Sequence, residues 1–215
     1  SLFIIGHEHF NKSLTLDIEN RLMHYMMSVD RVKHVHNLRD NPQTSYYPME
    51  ELDDIFSKIW RGLRKENKDL FPTESAIKDS AIYKASPLHK LTKEQEKARD
   101  LIIQKVSKAL ENKETRQLIF IDGEAGTGKT VLNSSTFYEL YCQAEENNRN
   151  LKCFLLVNHD EQITVYEQIA EKLGLIEKYG QVVGKPTTFI NNHSKDEPVD
   201  VAFVDEAHLL LTQGK

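Results

Sequence analysis

Cysteine is nearly absent: Cys142 and Cys153 are the two in 215 residues, which excludes a disulfide scaffold. Cys153 lies inside an apolar run, so a reduced core thiol is expected there, and with it a cytoplasmic location. No apolar run approaches the roughly 20 residues that cross a bilayer. The opening residues, SLFIIG, are too short for a signal-peptide core and lack a basic leader. An excess of positive charge is missing too. The net charge of −5 is no nucleic-acid footprint, so any such contact must use a local basic patch. With 39% hydrophobic and 28% charged residues, the composition is that of a soluble globular chain of one large domain or two small ones.

What is present is concentrated between Gln117 and Thr130. A short apolar run, Leu118 to Ile121, is expected to form a strand and leads into Gly123-Glu124-Ala125-Gly126-Thr127-Gly128-Lys129-Thr130. This is G-x-x-x-x-G-K-T, the phosphate-cradling P-loop, with a helix expected after it. Glycines let backbone N–H groups turn inward on phosphates, and the helix adds its N-terminal dipole and free N–H groups. Lys129 is expected to reach the β- and γ-phosphates, and the Thr130 hydroxyl to ligate Mg²⁺. The segment implies nucleoside triphosphate binding.

Upstream, Leu2-Phe3-Ile4-Ile5 reads as a strand, and Leu14, Ile18, Leu22 and Met26 give an amphipathic helix over about 15–28. Arg31 to Val35 reads as a further strand, and Asn41-Pro42 as a loop. A helix is expected from Pro48 to about Leu70, with acidic residues at its start and Lys58, Arg61, Arg64, Lys65 and Lys68 toward its end. That order matches the helix macrodipole; the sharper alternative makes the basic end and Trp60 a nucleic-acid contact. Residues 72–90 read as a mixed connector. Thr92 and Gln95 have capping-box spacing at the head of a helix running to about Asn112.

Beyond the P-loop the pattern alternates. A helix is expected over 129–147, a strand over 153–157, a helix over 160–173, an irregular stretch over 174–199 and a strand over 201–204. Alternation implies an α/β fold: a P-loop NTPase of RecA-like type, with a parallel sheet and helices on both faces, plus a mainly helical N-terminal region. Strands 118–121, 153–157 and 201–204 are unbroken apolar runs, as expected for strands buried on both sides. The expected division is 1–40 as the tail of an upstream domain, 41–90 as a helical linker and 91–215 as the ATPase domain.

The last strand ends in Asp205-Glu206-Ala207-His208, the Walker B pattern, at the sheet edge where open α/β sheets bind ligands. Asp205 is expected to hold Mg²⁺ through its water shell, and Glu206 to orient and deprotonate the attacking water. The plainer reading makes Asp205 a helix cap. His208 reads either as a surface histidine or as a coupler between the γ-phosphate site and its neighbours. Paired with the P-loop, the motif implies hydrolysis, with ATP and Mg²⁺ as ligands and Glu206 and Lys129 as catalytic residues.

These motifs carry a family resemblance. GEAGTGKT with DEAH, preceded by Gln95 in L-T-x-x-Q, resembles the first RecA-like domain of a superfamily 1 type helicase, and more closely the Schlafen-like group of bacterial ATPase/helicase domains. IDGEAGTGKT, LLVNH and VAFVDEAHLLL are similar to its motifs I, Ia and II, over about residues 88–215. The resemblance implies that Gln95 reads the adenine, a role for which the capping box competes. It also implies that Asn158, His159 and Thr187-Thr188-Phe189 lie near a DNA or RNA track. Fainter is the likeness of Phe10-Asn11-Lys12-Ser13 and Leu16-Asp17-Ile18-Glu19 to the closing part of a GIY-YIG nuclease domain, in which Glu19 would bind the catalytic metal; the signature tyrosine segments and catalytic arginine are absent. His7, His9, His34 and His36 offer His-x-His pairs but no further ligands.

A motor of this type needs a second RecA-like domain with arginine fingers, and residues after His208 cannot supply one. The expectation is therefore a fragment, truncated after Walker B, that binds ATP and Mg²⁺, hydrolyses slowly and does not unwind duplexes. Its alternative is an ATP-driven regulatory switch controlling an attached nuclease or other effector, favoured by the acidic charge.

Overall fold

The computed structural model describes residues 2–36, 41–43, 45–193 and 198–212, and the chain falls into two compact units, Ser1–Lys84 and Ala85–Lys215. Among the described residues no helix is long and apolar enough to cross a membrane.

The first unit is helical. Helix α1, Lys12–Met27, starts where the Asn11 side chain accepts from the Leu14 N–H at 3.0 Å. After a 3₁₀ turn at Met49–Glu51 comes α2, Leu52–Glu66, then two short helices, α3 (Glu74–Asp79) and α4 (Ala81–Ala85). Helix α2 stops four residues short of the expected Leu70. The Asn67 carboxamide oxygen there accepts from the N–H groups of Asp69 (3.1 Å) and Leu70 (3.0 Å), a local turn that competes with the helix.

An aromatic core joins these helices. Tyr25 meets Phe56 and Trp60 edge-on at 4.7 and 4.9 Å, and Trp60 meets Phe71 at 5.3 Å. Trp60 is only 1% exposed, and its indole N–H donates to the Pro72 carbonyl at 2.8 Å. It therefore cannot stack on a base, and Arg64 likewise donates to the Phe71 carbonyl at 3.1 Å. This removes the nucleic-acid reading of Trp60 on α2. The expected strands at 2–5 and 31–35 do not form, because neither has a ladder partner among the described residues; Phe3 and Ile5 instead pack on the aromatic core while Leu2 and Ile4 face solvent.

The second unit is α/β. Helix α5, Lys93–Glu111, carries the complete Thr92/Gln95 capping box. Then follow α6 (Lys129–Glu146), β1 (Cys153–Leu156), α7 (Asp160–Lys172), α8 (Leu175–Tyr179), β2 (Val183–Gly184), α9 (Pro186–Asn192), β3 (Val201–Val204) and a 3₁₀ turn at Ala207–Thr212. The three strands form a parallel sheet in the order β2-β1-β3. Leu155 lies opposite both Val183 and Phe203, and Leu156 opposite Val204.

Three expectations need correction here. Residues 118–121 are not a strand: Leu118 and Phe120 are 86% and 77% exposed, and no ladder hydrogen bond engages them among the described residues. An apolar run becomes a buried strand only where neighbouring strands pair with it, and none does. Burial on both sides holds for β1, whose Cys153, Leu155 and Leu156 are all buried as the central strand; β3 lies at the edge and buries only Phe203. The stretch expected to be irregular contains α8, β2 and α9, although 194–197 lie outside the described residues. Strand β2 is two residues long, which no periodicity can signal.

Candidate functional site

The P-loop is built by left-handed backbone at two glycines. Gly126 and Gly128 both have φ of +81°, and Gly128 is the N-cap of α6. A side chain at Gly123 would press within 3.0 Å of Thr127 Oγ1, and one at Gly128 would run into Gln95 Nε2. The left-handed backbone thus favours glycine at Gly128, while at Gly123 a side chain would have to shift Thr127 by a few tenths of an ångström. Thr127 Oγ1 donates back to the Glu124 carbonyl at 2.9 Å, closing the turn, and Gly123 through Thr127, Ala125 included, are solvent-exposed.

Lys129 opens α6, and its ammonium donates to the carbonyls of Gly123 (2.7 Å) and Glu124 (2.8 Å). Its positive charge is therefore held over the mouth of the loop, with a third N–H to spare. Gln95 serves both readings at once. Its Oε1 accepts from the Thr92 N–H at 2.9 Å, completing the capping box, while its Nε2 donates to the Thr127 carbonyl at 3.0 Å. The capping box turns the carboxamide toward the P-loop, and one N–H of it is left over.

The two motifs meet. The Asp205 N–H donates to the Leu156 carbonyl at 3.0 Å, extending the β1–β3 ladder by one step and placing the aspartate at the C-terminal sheet edge. There Thr130 Oγ1 donates to Asp205 Oδ2 at 3.3 Å, and Asn133 Nδ2 lies 3.5 Å from Oδ1. The Glu206 N–H also reaches Oδ1, at 3.1 Å. Asp205 is only 5% exposed, and burial raises its pKa, opposed by the Glu206 N–H; the Glu206 charge pushes further up, and Thr130 and Asn133 pull down.

Asn133 is the member of this cluster that the motifs do not mark. It stands three residues after Thr130 on α6, hence on the same helix face, and that spacing is the signal that points to it. Glu206 is exposed, with φ of +53°, a left-handed conformation that costs a glutamate on the order of 1–2 kcal/mol. Its carboxylate lies 3.3 Å from His208 Nδ1, so His208 touches the expected base directly. The plain helix-cap reading of Asp205 fails: the next element is a 3₁₀ turn, and the carboxylate faces Thr130 and Asn133.

Other candidates lie elsewhere. Asn158 follows β1 and His159 is exposed at the start of α7; Phe189 stacks on His193 at 4.3 Å and meets Phe154 edge-on at 5.1 Å, with Thr187 and Thr188 exposed beside it. In the first unit Glu19 is half-buried on α1, His7 packs on His9, and His34 stacks on His36. His9 Nδ1 lies 3.3 Å from a Glu51 carboxylate oxygen. Among the described residues no group of three ligating side chains is arranged to hold a metal ion.

Residues 116–215 match the family described as Schlafen group 3, DNA/RNA helicase domain. That range takes in the P-loop and the Asp205-Glu206 pair, and the match supports a Schlafen-like, helicase-type, nucleotide-binding domain there. An uncharacterized protein of Saccharomyces cerevisiae is 30% identical over 165 residues, which cover 72% of this chain and 36% of the relative. The chain thus spans about a third of the length of that curated relative. No solved structure matches the chain.

Proposed function

We propose that this chain binds ATP with Mg²⁺ at the P-loop and hydrolyses it as the first, RecA-like motor domain of a DNA or RNA helicase or translocase. One observation carries the reading: the Thr130 hydroxyl and the Asp205 carboxylate, 75 residues apart, lie 3.3 Å from each other at the C-terminal sheet edge. Two hard oxygen donors beside a glycine-rich loop fit a magnesium–triphosphate complex. Magnesium would neutralise charge developing on the phosphates.

The roles of the chain's own residues follow from their positions. Backbone N–H groups of Gly123, Glu124, Ala125, Gly126, Thr127 and Gly128, with the α6 N-terminus, bind phosphate oxygens. Lys129 exchanges its two carbonyl acceptors for phosphate oxygens, gaining charge-assisted bonds. Thr130 would hold the metal directly and Asp205 through its water shell, while Glu206, beside His208, would orient a water and take its proton. Gln95 ties the loop to α5 and offers its remaining N–H to the base, which tilts the site toward adenine.

The family match supports nucleic acid as partner, with Asn158, His159 and Thr187-Thr188-Phe189 on its track. Residues 91–215 form the ATPase domain, a parallel sheet with helices on both faces. The GIY-YIG likeness of residues 1–40 places Glu19 on α1, in a stretch that shares one core with α2 in the unit Ser1–Lys84. Two free thiols suit a cytoplasmic location.

The net charge of −5 favours one rival, an ATP-driven switch acting on an attached effector without travelling on nucleic acid. ATPase rates of the full-length protein with and without single- and double-stranded DNA and RNA decide between them. Stimulation by any of these supports the motor; none at all supports the switch.

A further inference from the structure

Helix α6 buries four polar side chains in succession: Asn133, Ser134, Ser135 and Thr136. Burying such groups costs free energy unless they find partners. Ser134 donates to the Ala85 carbonyl at 2.8 Å, and Thr136 to the Leu132 carbonyl one turn back at 2.6 Å. Those two bonds end on backbone. Asn133 differs, because its carboxamide leaves the helix for a carboxylate oxygen, Asp205 Oδ1, at 3.5 Å.

The two oxygens of Asp205 have different surroundings. Oδ1 accepts from the Glu206 N–H at 3.1 Å as well as from Asn133. Oδ2 has the Thr130 hydroxyl, at 3.3 Å. A hydroxyl rotates and can release its acceptor, whereas the two N–H donors hold Oδ1 from the backbone and from a buried side chain. The carboxylate is thus pinned at one oxygen and open at the other. Because the Glu206 N–H belongs to the adjoining residue, Asn133 is the donor that ties Oδ1 to the helix carrying Lys129 and Thr130. A neutral carboxamide suits this place, since a second carboxylate there would repel the first.

We infer that Asn133 is a positioning residue for Asp205: it holds Oδ1 from α6 and so presents Oδ2 toward Thr130 and the metal's water shell. The inference rests on the reading of Asp205 as the magnesium carboxylate of an ATPase. At 3.5 Å the contact is long, and bonds of this kind tighten once substrate and metal are in place.

The test uses the full-length protein and Mn²⁺, which takes the same oxygen ligands as Mg²⁺ and is followed by electron paramagnetic resonance. Mn²⁺ is titrated into the protein with a non-hydrolysable ATP analogue, for wild type, Asn133→Leu, Asp205→Asn and the double variant. Leucine keeps roughly the shape of asparagine and removes the donor. Asn133→Leu is expected to weaken Mn²⁺ binding about tenfold, the lower end of what an outer-shell partner of a metal ligand contributes. Affinity for the analogue in chelator stays near wild type. In the Asp205→Asn background the leucine change adds nothing, since the charge it positions is gone. Wild-type Mn²⁺ affinity in Asn133→Leu, whatever its thermal midpoint, or losses that add in full in the double variant, overturns this inference alone. Should Asn133→Leu fail to fold, Asn133→Ser, which stops short of Oδ1, is read by the same titration. Wild-type Mn²⁺ affinity in Asp205→Asn overturns the metal reading of Asp205 as well.

Discussion

Thr130 Oγ1 donates to Asp205 Oδ2 at 3.3 Å, joining the residue that follows the P-loop lysine to the first carboxylate after β3. Neither residue needs the other for folding: a threonine in the first turn of α6 and an aspartate at a strand end are both ordinary. Their meeting point, with Asn133 against the same carboxylate, is where a divalent cation's oxygen ligands belong. Asp205→Asn keeps the shape and removes the charge. Its turnover is expected to fall by about two orders of magnitude or more, since metal charge stabilisation is worth several kcal/mol. Metal-free nucleotide affinity, read by fluorescence titration in chelator, should stay within about twofold.

The Lys129 ammonium donates to the Gly123 and Glu124 carbonyls, and the proposed function has phosphate oxygens take their place. Lys129→Ala removes two or more charge-assisted bonds, each worth about 1.5–3 kcal/mol. Isothermal titration should show ATP affinity lowered at least ~10²-fold, and unchanged affinity would undo the P-loop assignment.

Gly128 combines a φ of +81° with Gln95 Nε2 where a Cβ would stand. Gly128→Ala is expected to cost roughly 1–2 kcal/mol from the left-handed backbone alone. It also pushes Gln95 off the Thr127 carbonyl. Denaturant melts and nucleotide titration should both register the change. A variant with wild-type stability and affinity would mean that the Gln95 contact does not hold the loop.

Trp60 is a core residue in the middle of α2, whose basic residues gather toward its end. Trp60→Ala should cost about 3–5 kcal/mol of stability, as large aromatic deletions do. Trp60→Phe, which keeps much of the packing, should leave affinity for single-stranded DNA and RNA unchanged in gel-shift titrations. Weakened binding by a stably folded Trp60→Phe would return this residue to the nucleic-acid surface.

Both thiols are raised by burial: Cys142 to about 11, Cys153 higher still. At pH 8 each is therefore protonated and a poor nucleophile. A chromogenic disulfide reagent should label the buried Cys153 far more slowly than the half-buried Cys142 in the folded protein and both at once in denaturant; fast native labelling of Cys153 would contradict its burial.

Chemistry was easier to read from this sequence than architecture. GEAGTGKT and Asp205-Glu206 stand out by residue type and spacing, and the structure brings Thr130 and Asp205 together. Helices α1, α5, α6 and α7 were legible from apolar periodicity and caps, since those signals are local. Strands are decided by partners, so Leu118–Ile121 and Leu2–Ile5 read as strands but lack neighbours to pair with. The two-residue β2 escaped for the opposite reason: β1 recruits it through the Leu155–Val183 pairing. Gln95 showed two competing roles in the sequence. In the structure its carboxamide oxygen caps α5 while the nitrogen serves the loop.

Glu206 is where the account is most exposed, since hydrolysis depends on it and its left-handed backbone sets it apart from ordinary strand ends. The decisive measurement is magnesium-dependent ATP turnover of the full-length protein against its Glu206→Gln variant, with ATP affinity measured alongside. The account predicts ATP affinity within about twofold of wild type and turnover lowered ~10²–10⁴-fold, the usual worth of a general base. Wild-type turnover in Glu206→Gln would contradict it.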